Sequence, residues 1–579
     1  YRIGMGGGAV SSVATGEYAN AIELNAIQRS NPEMQKRVMN AIRAMVESDQ
    51  NPIVSIHDHG AGGHLNCFSE LLEDTGGKIM IDQLPVGDPT LSDKEIISNE
   101  SQERMGIAIG AAHTELLKKV ADRERAPMYV VGEATGDHRF VFARQNKSQS
   151  PVNLEVKHLF GSSPKTVLND VTPSTRYSNV SYDVAKIQDY VRQILQLESV
   201  ACKDWLTNKV DRSVTGKVAT QQTCGALQLP LNNVSVMAID FLSHKGIATS
   251  IGHAPVAALV NAAAGSRLAI AEALTNLVWA PLTHGLKGVS LSANWMWPAK
   301  NEGENARLYQ AVEAVSQFAI ELGINIPTGK DSLSMTQKYP NGDIVYSPGT
   351  VIISSVAEVQ DIRQTVSPDL APLEGSSLLY IDFSKDARHL GGSSLAQIVN
   401  ALGTDVPTVR DAQYFAACFG AIQNLIRENQ ILSGHDISSG GLITTLLEMC
   451  FAVPGAGLRL QFNPGDDLVR KLFAENPGVV IQVANAEKVR QALTDQGIAV
   501  ETLGTVIMNE KVTLVSGASQ IELAVAEHRE LWFNTSYLFD KIQRPKGHAN
   551  LRKNNLGHQP LAYQFQPRFT GTFATYSID

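Results

Sequence analysis

Ser55-Ile-His-Asp-His-Gly-Ala-Gly-Gly-His-Leu65 and Ser433-Gly-His-Asp-Ile-Ser-Ser-Gly-Gly-Leu-Ile443 are two versions of one phrase: a short run, His-Asp, a glycine-rich turn, then an apolar helix. After the second, Leu442, Ile443, Leu446, Leu447 and Cys450 recur at helical spacing, and after the first Leu65, Phe68, Leu71 and Leu72 do much the same. Each phrase is expected to fold as strand, turn and helix. Paired glycines allow a tight turn and close approach to a ligand, and the helix N-terminus offers unpaired N–H groups to an anion. An Asp just before such a turn is suited to hold Mg²⁺ on a phosphate.

A single glycine turn after a strand is more often a plain connection than a phosphate site. The repetition changes that weighing. Asp58 and Asp436 lie 378 positions apart, and Glu100 and Glu475, each in a polar run leading into an apolar strand, lie 375 apart. Those runs are Asn99-Glu-Ser-Gln-Glu-Arg-Met-Gly-Ile-Ala-Ile109 and Ala474-Glu-Asn-Pro-Gly-Val-Val-Ile-Gln-Val483. Gly6-Gly7-Gly8 likewise echoes Gly391-Gly392. Landmarks repeated in one order over so long a period imply duplicated domains.

The 579 residues exceed what one core serves, so three or four domains are expected. A hydrophobic fraction of 43%, a charged fraction of 18% and a net charge of −9 describe an ordinary globular chain and disfavour a dedicated nucleic-acid binder. The five cysteines, Cys67, Cys202, Cys224, Cys418 and Cys450, have no metal-ligand spacing. They are expected to be reduced and mostly buried in a cytoplasmic protein. No apolar run is long enough for a membrane span.

Along the chain, residues 1–165 form a first unit of one kind, termed B. Residues 166–215 read as a linker leading into a second kind, A, at 216–365. Residues 370–535 repeat B, and 536–579 read as a linker toward a further domain. In the first unit Glu100, Ser101 and Gln102 supply acceptors and donors and Arg104 a fork for an anion, although the same run also reads as a capped helix start. In the A unit, Asn232-Asn233 precedes the strand "VSVMAID", and Glu272 and Asn276 lie at i,i+4 on one helix face. They could pair as oxygen ligands or form a polar stripe on a packed helix. A further helix over Asn305–Leu322 is expected to stop at Gly323. The strand after it delivers Pro327-Thr-Gly-Lys-Asp-Ser-Leu-Ser334, read as a turn for a phosphate and its metal, with Gly329 for close approach, Lys330 for charge, Asp331 for Mg²⁺ and Ser332 for a hydrogen bond. It lacks the spacing of a P-loop.

"GMGGGAVSS", "IHDHGAGG", "NESQERM", "SLSANWM", "IPTGKDSLSM" and "HDISSGGL", in this order, resemble the large phosphoribosylformylglycinamidine synthases of purine biosynthesis, members of the aminoimidazole ribonucleotide synthetase superfamily. The resemblance runs along nearly the whole chain. It implies an α/β (α+β) fold of tandem A–B halves, with A domains forming a central β-barrel and B domains as flanking α/β sandwiches. It implies a ligase that uses MgATP to activate the formyl amide oxygen of formylglycinamide ribonucleotide for attack by ammonia from a glutaminase domain of the same full-length chain. It assigns Glu100, Ser101, Gln102 and Ser332 to the ribonucleotide, Gly329, Lys330 and Asn294 to ATP, and Asp58 to Mg²⁺. For a second, auxiliary site holding ADP and Mg²⁺ it assigns Asn232 and Ser438 to the nucleotide and Asn233, Glu272, Asn276 and Asp436 to the metal. The observed order B, A, B implies another A unit before Tyr1, and the family's catalytic histidine and glutaminase residues match nothing in this chain.

Two positions depart from the family pattern. Asn233 stands where relatives often carry Asp, and Ser439 replaces a common Asp, so fewer carboxylates are left to hold a metal at the second site. A superfamily kinase or selenophosphate synthetase shares the glycine turns but is usually a single A–B pair. A non-catalytic ADP-binding scaffold would accommodate the lost carboxylates.

Overall fold

The structure is a computed structural model that describes residues 14–19, 31–100, 102–161, 165, 167–172, 177–207, 210, 212 and 214–558. It divides into two compact units. Unit 1 comprises residues 1–169, 298–300 and 332–347, and unit 2 comprises 170–297, 301–331 and 348–579.

In unit 1, helix α1 (Pro32–Val46) starts with proline in its first turn behind Asn31, whose side chain accepts the Met34 N–H at 3.1 Å. Strand β1 (Ile53–Asp58) feeds α2 (Gly63–Leu71) through Gly62 and Gly63, both at positive φ. Then come β2 (Gly77–Met80), α3 (Asp93–Ser98), which opens with a Ser92/Glu95 capping box, and β3 (Met105–Ile109). Helix α4 (Thr114–Glu124) packs Ala121 against Ala41 of α1. Strands β4 (Gly132–Ala134), β5 (Arg139–Ala143) and β6 (Val152–Glu155) complete the unit. β1 pairs antiparallel with β3, and a separate sheet runs β4–β2–β5–β6 with β2 and β5 parallel. Phe140 and Phe142 alternate inward from β5 onto Ile79, Ile81 and Val156.

Unit 2 begins with α5 (Ile187–Ile194), whose buried Ile187, Tyr190, Val191 and Ile194 follow helical periodicity. The expected linker over 166–215 is therefore in part a packed helix, because its apolar stripe has a core to join. A six-stranded sheet follows, built from β7 (Val218–Thr220), β8 (Ser235–Ala238), β9 (Gly246–Gly252), β10 (Ser290–Met296), β11 (Asn325–Ser332) and β12 (Thr350–Val359) in the order β11–β10–β12–β9–β8–β7. Helices α6 (Ala262–Leu277) and α7 (Glu304–Leu322) stack on one face. The inward positions of β9 are small, Gly246, Ala248, Ser250 and Gly252, because α6 lies close: a Cβ on Gly252 would sit 2.2 Å from the Ala269 carbonyl oxygen. On the opposite face Ile247, Ile251 and Val356 are exposed. Helix α7 ends at Gly323 with φ +70°, as expected from the glycine.

The second sheet of unit 2 comprises β13 (Ser377–Asp382), β14 (Ser433–Asp436), β15 (Gly457–Phe462), β16 (Gly478–Val483), β17 (Glu501–Ile507), β18 (Lys511–Ser516) and β19 (Ser519–Ala524). Their order is β14–β16–β13–β17–β15–β18–β19. Helix α8 (Ala412–Arg427) shares one core with β13, β16 and α6, while α9 (Gly441–Phe451) and α10 (Val525–Gln543) share the other with α5. The tail is not a plain linker throughout, since His548–Asn555 is helical and buries Ala549, and Arg552 pairs with Asp204.

The duplication appears in strand order. β4–β2–β5–β6 of unit 1 matches β17–β15–β18–β19 of unit 2, with the parallel pair β2/β5 answering β15/β18. β1 pairs β3 with His57 opposite Gly106, as β14 pairs β16 with His435 opposite Val480. The counterpart of β13, by the 378-residue offset, falls at the start of the chain, outside the described residues, as do Gly6, Gly7 and Gly8.

Two other expectations meet a different structure. Gly329, Lys330, Asp331 and Ser332 belong to β11 and form no phosphate turn. Gly329 is needed for strand proximity, since a Cβ there would lie 2.4 Å from the Ala293 carbonyl oxygen on β10. The A-type sheet is open, ending at β11 and β7.

Candidate functional site

Both His-Asp phrases fold into the same local device. The histidine at the strand end reaches a carboxylate on the following helix: His57 Nε2 pairs with Glu70, and His435 Nε2 lies 3.1 Å from Glu448 Oε2. A side chain one turn earlier on the same helix hydrogen-bonds the strand end, Cys67 Sγ to the His57 carbonyl at 3.5 Å and Thr445 Oγ1 to the Asp436 carbonyl at 2.9 Å. The second glycine of each turn presses on the backbone just before the glutamate that recurs in both copies. A Cβ on Gly63 would meet the Asn99 carbonyl oxygen at 2.5 Å, and one on Gly441 the Leu472 carbonyl oxygen at 2.8 Å. Only glycine permits both the left-handed backbone and that approach.

The two copies differ in openness. In unit 1 the Asp58 carboxylate is exposed, with its Oδ1 3.6 Å from His57 Nδ1. Glu100 is buried, takes the Gln102 Nε2 amide at 2.7 Å on Oε1, and leaves Oε2 without a hydrogen-bond partner among the described residues. A buried carboxylate oxygen in that condition is an acceptor waiting for a donor. Ser101 lies outside the described residues. Behind the turn, His59 Nε2 and His64 Nδ1 share a hydrogen bond of 2.9 Å against Phe68. Burial, assisted by the Arg104 guanidinium, lowers His59 to about 4; burial, then His59 and Arg104, lowers His64 to about 3, so both are neutral near pH 7.

In unit 2 the corresponding Asp436 is closed in, its side chain fully buried. Both its oxygens lie 3.1 Å from Asn233 Nδ2, and Oδ1 is 3.3 Å from His435 Nδ1. Burial disfavours the imidazolium, but hydrogen bonds to Asp436 and Glu448 outweigh it and raise His435 to about 10. Glu448 also accepts the Trp532 indole N–H at 3.1 Å. Glu475 is half-buried and receives the Gly440 and Ser394 backbone N–H groups on Oε1 at 2.7 and 2.8 Å. Glu272 takes the His253 N–H at 2.7 Å, and burial, with Asp436 and Glu475 nearby, pushes it up to about 8.

The structure therefore brings together Asn233, Glu272 and Asp436 of the expected second-site residues, with Glu475 close to Glu272. Asn276 turns its amide nitrogen to the Ile251 carbonyl at 2.8 Å and leaves a buried, unpartnered Oδ1. Asn232 instead ties down its own loop, donating to the Gln221 and Thr223 carbonyls at 2.7 and 3.3 Å. Ser438 sits in the turn, its carbonyl accepting the Gly441 N–H at 3.0 Å. Asn294 lies on β10 opposite Ile352, and Lys330 is exposed on β11. Sequence reasoning did not place Glu475, Glu448 or His253 at the site. Glu475 was detectable, since it repeats Glu100 at nearly constant offset. Among the described residues no group of three or more His, Cys, Asp or Glu is arranged to hold a metal ion.

The family model described as the AIR synthase related protein, C-terminal domain, matches residues 2–144 and again 374–517, and the FGAR-AT PurM_N-like domain matches residues 202–358. A probable phosphoribosylformylglycinamidine synthase, chloroplastic/mitochondrial, of Arabidopsis thaliana is 39% identical over 97% of this chain and 41% of its own length. The phosphoribosylformylglycinamidine synthase of Homo sapiens is 38% identical over 94% of this chain and 42% of its own. The chain thus spans about two fifths of these relatives. Among solved structures, Thermotoga maritima PurL complexed with FGAR aligns with a TM-score of 0.58 at 17% identity, covering 87% of this chain and 69% of that one, which shows a shared fold.

Proposed function

We propose that this chain, which belongs to the AIR synthase related family, is the synthetase core of a phosphoribosylformylglycinamidine synthase, a purine-biosynthetic ligase that amidates formylglycinamide ribonucleotide to formylglycinamidine ribonucleotide at the expense of ATP. The ammonia would come from glutamine through a glutaminase domain of the full-length protein. The reading is supported by the names of the relatives, which align along nearly all of this chain, and by the PurL structures complexed with FGAR, ATP and ADP.

The single observation that carries it is the open copy of the motif, with an exposed Asp58 at the strand end and a buried Glu100 oxygen awaiting a donor. Phosphoryl transfer asks a protein for positioning, cations and hydrogen-bond donors more than for a nucleophile. Glu100, Ser101, Gln102 and Ser332 are assigned to the ribonucleotide, and Gly329, Lys330 and Asn294 to ATP. The exposed Asp58 carboxylate fits Mg²⁺, which when bound would neutralise phosphate charge. Asn232 and Ser438 remain assigned to a second nucleotide site, Asn232 through its loop.

The domain boundaries 1–165, 216–365 and 370–535 belong to the same reading. So does closure of the six-stranded sheet into a central β-barrel with a second sheet of its kind, which the exposed Ile247, Ile251 and Val356 favour. A cytoplasmic location accords with the five buried free thiols. Among the described residues no helix is long and apolar enough to cross a membrane.

The test is Glu100→Ala and Gln102→Ala in the full-length enzyme. Each should raise KM for the ribonucleotide while leaving glutaminase activity intact, because lost ground-state contacts weaken binding. A lower melting temperature with unaltered KM would make the run structural and remove the assignment.

A further inference from the structure

The family resemblance places Mg²⁺ among Asn233, Glu272, Asn276 and Asp436, and the residues present do not fit it. A carboxylate accepts hydrogen bonds and an amide nitrogen only donates them, so the orientation of Asn233 toward Asp436 is chemically determined. Its Nδ2 spans both oxygens at 3.1 Å, on a carboxylate whose side chain is otherwise sealed from solvent. A cation binding on that side of the carboxylate would have to displace the N–H group that now spans both oxygens. Mg²⁺ also demands octahedral oxygen ligands and is usually held through one or two carboxylates. The oxygens that remain are those of Glu272, whose Oε2 already takes the His253 N–H, and the neutral, unpartnered Asn276 Oδ1, so a cation would find a single carboxylate that is not clasped by an amide.

What stands in the metal's place is continuous. Asn233 donates to Asp436; His435 lies between Asp436 and Glu448; and Glu448 takes the Trp532 indole, which also reaches the Val200 carbonyl at 3.0 Å. This chain links the loop before β8 to β14, α9 and α10, elements far apart in sequence. Buried polar networks in which the members are paired tend to specify a single arrangement.

We propose that Asn233 replaces a divalent cation with a hydrogen-bonded clasp on Asp436, so that the second-copy site is assembled, and binds any phosphate ligand, without Mg²⁺ at Asp436. The assignment rests on the geometry of this site and is independent of the ligase reading.

The experiment is hydrogen–deuterium exchange of the peptides covering 230–238 and 433–451, in excess Mg²⁺ and in EDTA, on the protein and its variants. Because it reads these segments locally, a cation at Asp58 does not interfere. The unaltered protein should give the same uptake in both buffers. Asn233→Asp, which sets two carboxylates against each other, should exchange faster in EDTA and regain protection on adding Mg²⁺. Asn233→Ala should lose protection in both buffers, with no rescue by the cation. Uptake in the unaltered protein that rises in EDTA would overturn the proposal, and so would a folded Asn233→Asp indifferent to Mg²⁺. If Asn233→Asp does not fold in either buffer, the unaltered protein and Asn233→Ala still decide.

Discussion

Gly440 donates its backbone N–H to Glu475 Oε1 at 2.7 Å, and that oxygen also receives the Ser394 N–H at 2.8 Å. The glutamate thus holds the glycine turn and the start of the Ser394–Ile398 helix together. It satisfies donors that helix starts otherwise leave open. Glu475→Ala should destabilise the protein by about 2–4 kcal/mol, because two charge-assisted hydrogen bonds are lost and two buried N–H groups are stranded. Glu475→Gln should cost much less, since one amide oxygen can still accept both. Urea unfolding of the two variants measures the difference, and equal losses would contradict the capping role.

Gly63 and Gly441 should be irreplaceable for the same reason in both copies. Each has positive φ, +60° and +71°, and each has backbone within 3 Å of the site of a Cβ. Alanine at either position should cost about 1–3 kcal/mol from backbone strain and steric displacement together. Thermal unfolding would check it, and an unchanged transition in either variant would separate the two turns.

Acid should loosen the first copy before the second. His59 and His64 titrate at about 4 and about 3 in the folded protein, well below the roughly 6.5 of an unfolded histidine. The unfolded chain therefore binds more protons below about pH 6.5, and stability is full above that value and falls as pH drops toward 4. His435 has the opposite sign. Raised to about 10, it stabilises fully below about 6.5 and loses that contribution as pH rises through 10. Exchange protection of residues 57–72 and 433–451, followed across pH and corrected for intrinsic rates, should decline at opposite ends of the range.

The exposed face of the six-stranded sheet should associate. Ile251 and Ile247 are 58% and 44% exposed on β9, and Val356 is 42% exposed beside them on β12. Light scattering on this chain should show self-association that Ile251→Asp reduces, because a charge would then have to be buried in the contact. A well-behaved monomer before and after the substitution would remove the barrel-closing role from this face.

Gly329 and Lys330 should separate a structural from a binding role on β11. Gly329→Ala should lower stability, since its Cβ would lie 2.4 Å from the Ala293 carbonyl oxygen, whereas Lys330→Ala should leave the melting temperature alone and weaken ATP binding. Isothermal titration alongside unfolding would tell them apart.

What the sequence by itself determined is what local backbone chemistry and periodicity control. Two His-Asp phrases followed by paired glycines dictated strand, left-handed turn and helix, and Gly323 ended α7, because only glycine takes those φ values without strain. Nearly constant offsets between landmarks made the duplication legible, since an inherited repeat largely keeps its spacing even where its side chains change. The tertiary structure decided the rest. Glycine at 329 reads alike as a turn residue and as a gap for a neighbouring strand, and only pairing with β10 selected the second. The apolar stripe of α5 became core because unit 2 supplied a surface to cover it. Asn233 and Asp436 are 203 residues apart, and whether an asparagine clasps a carboxylate or faces a cation depends on how long-range packing aims its amide, which no local pattern encodes.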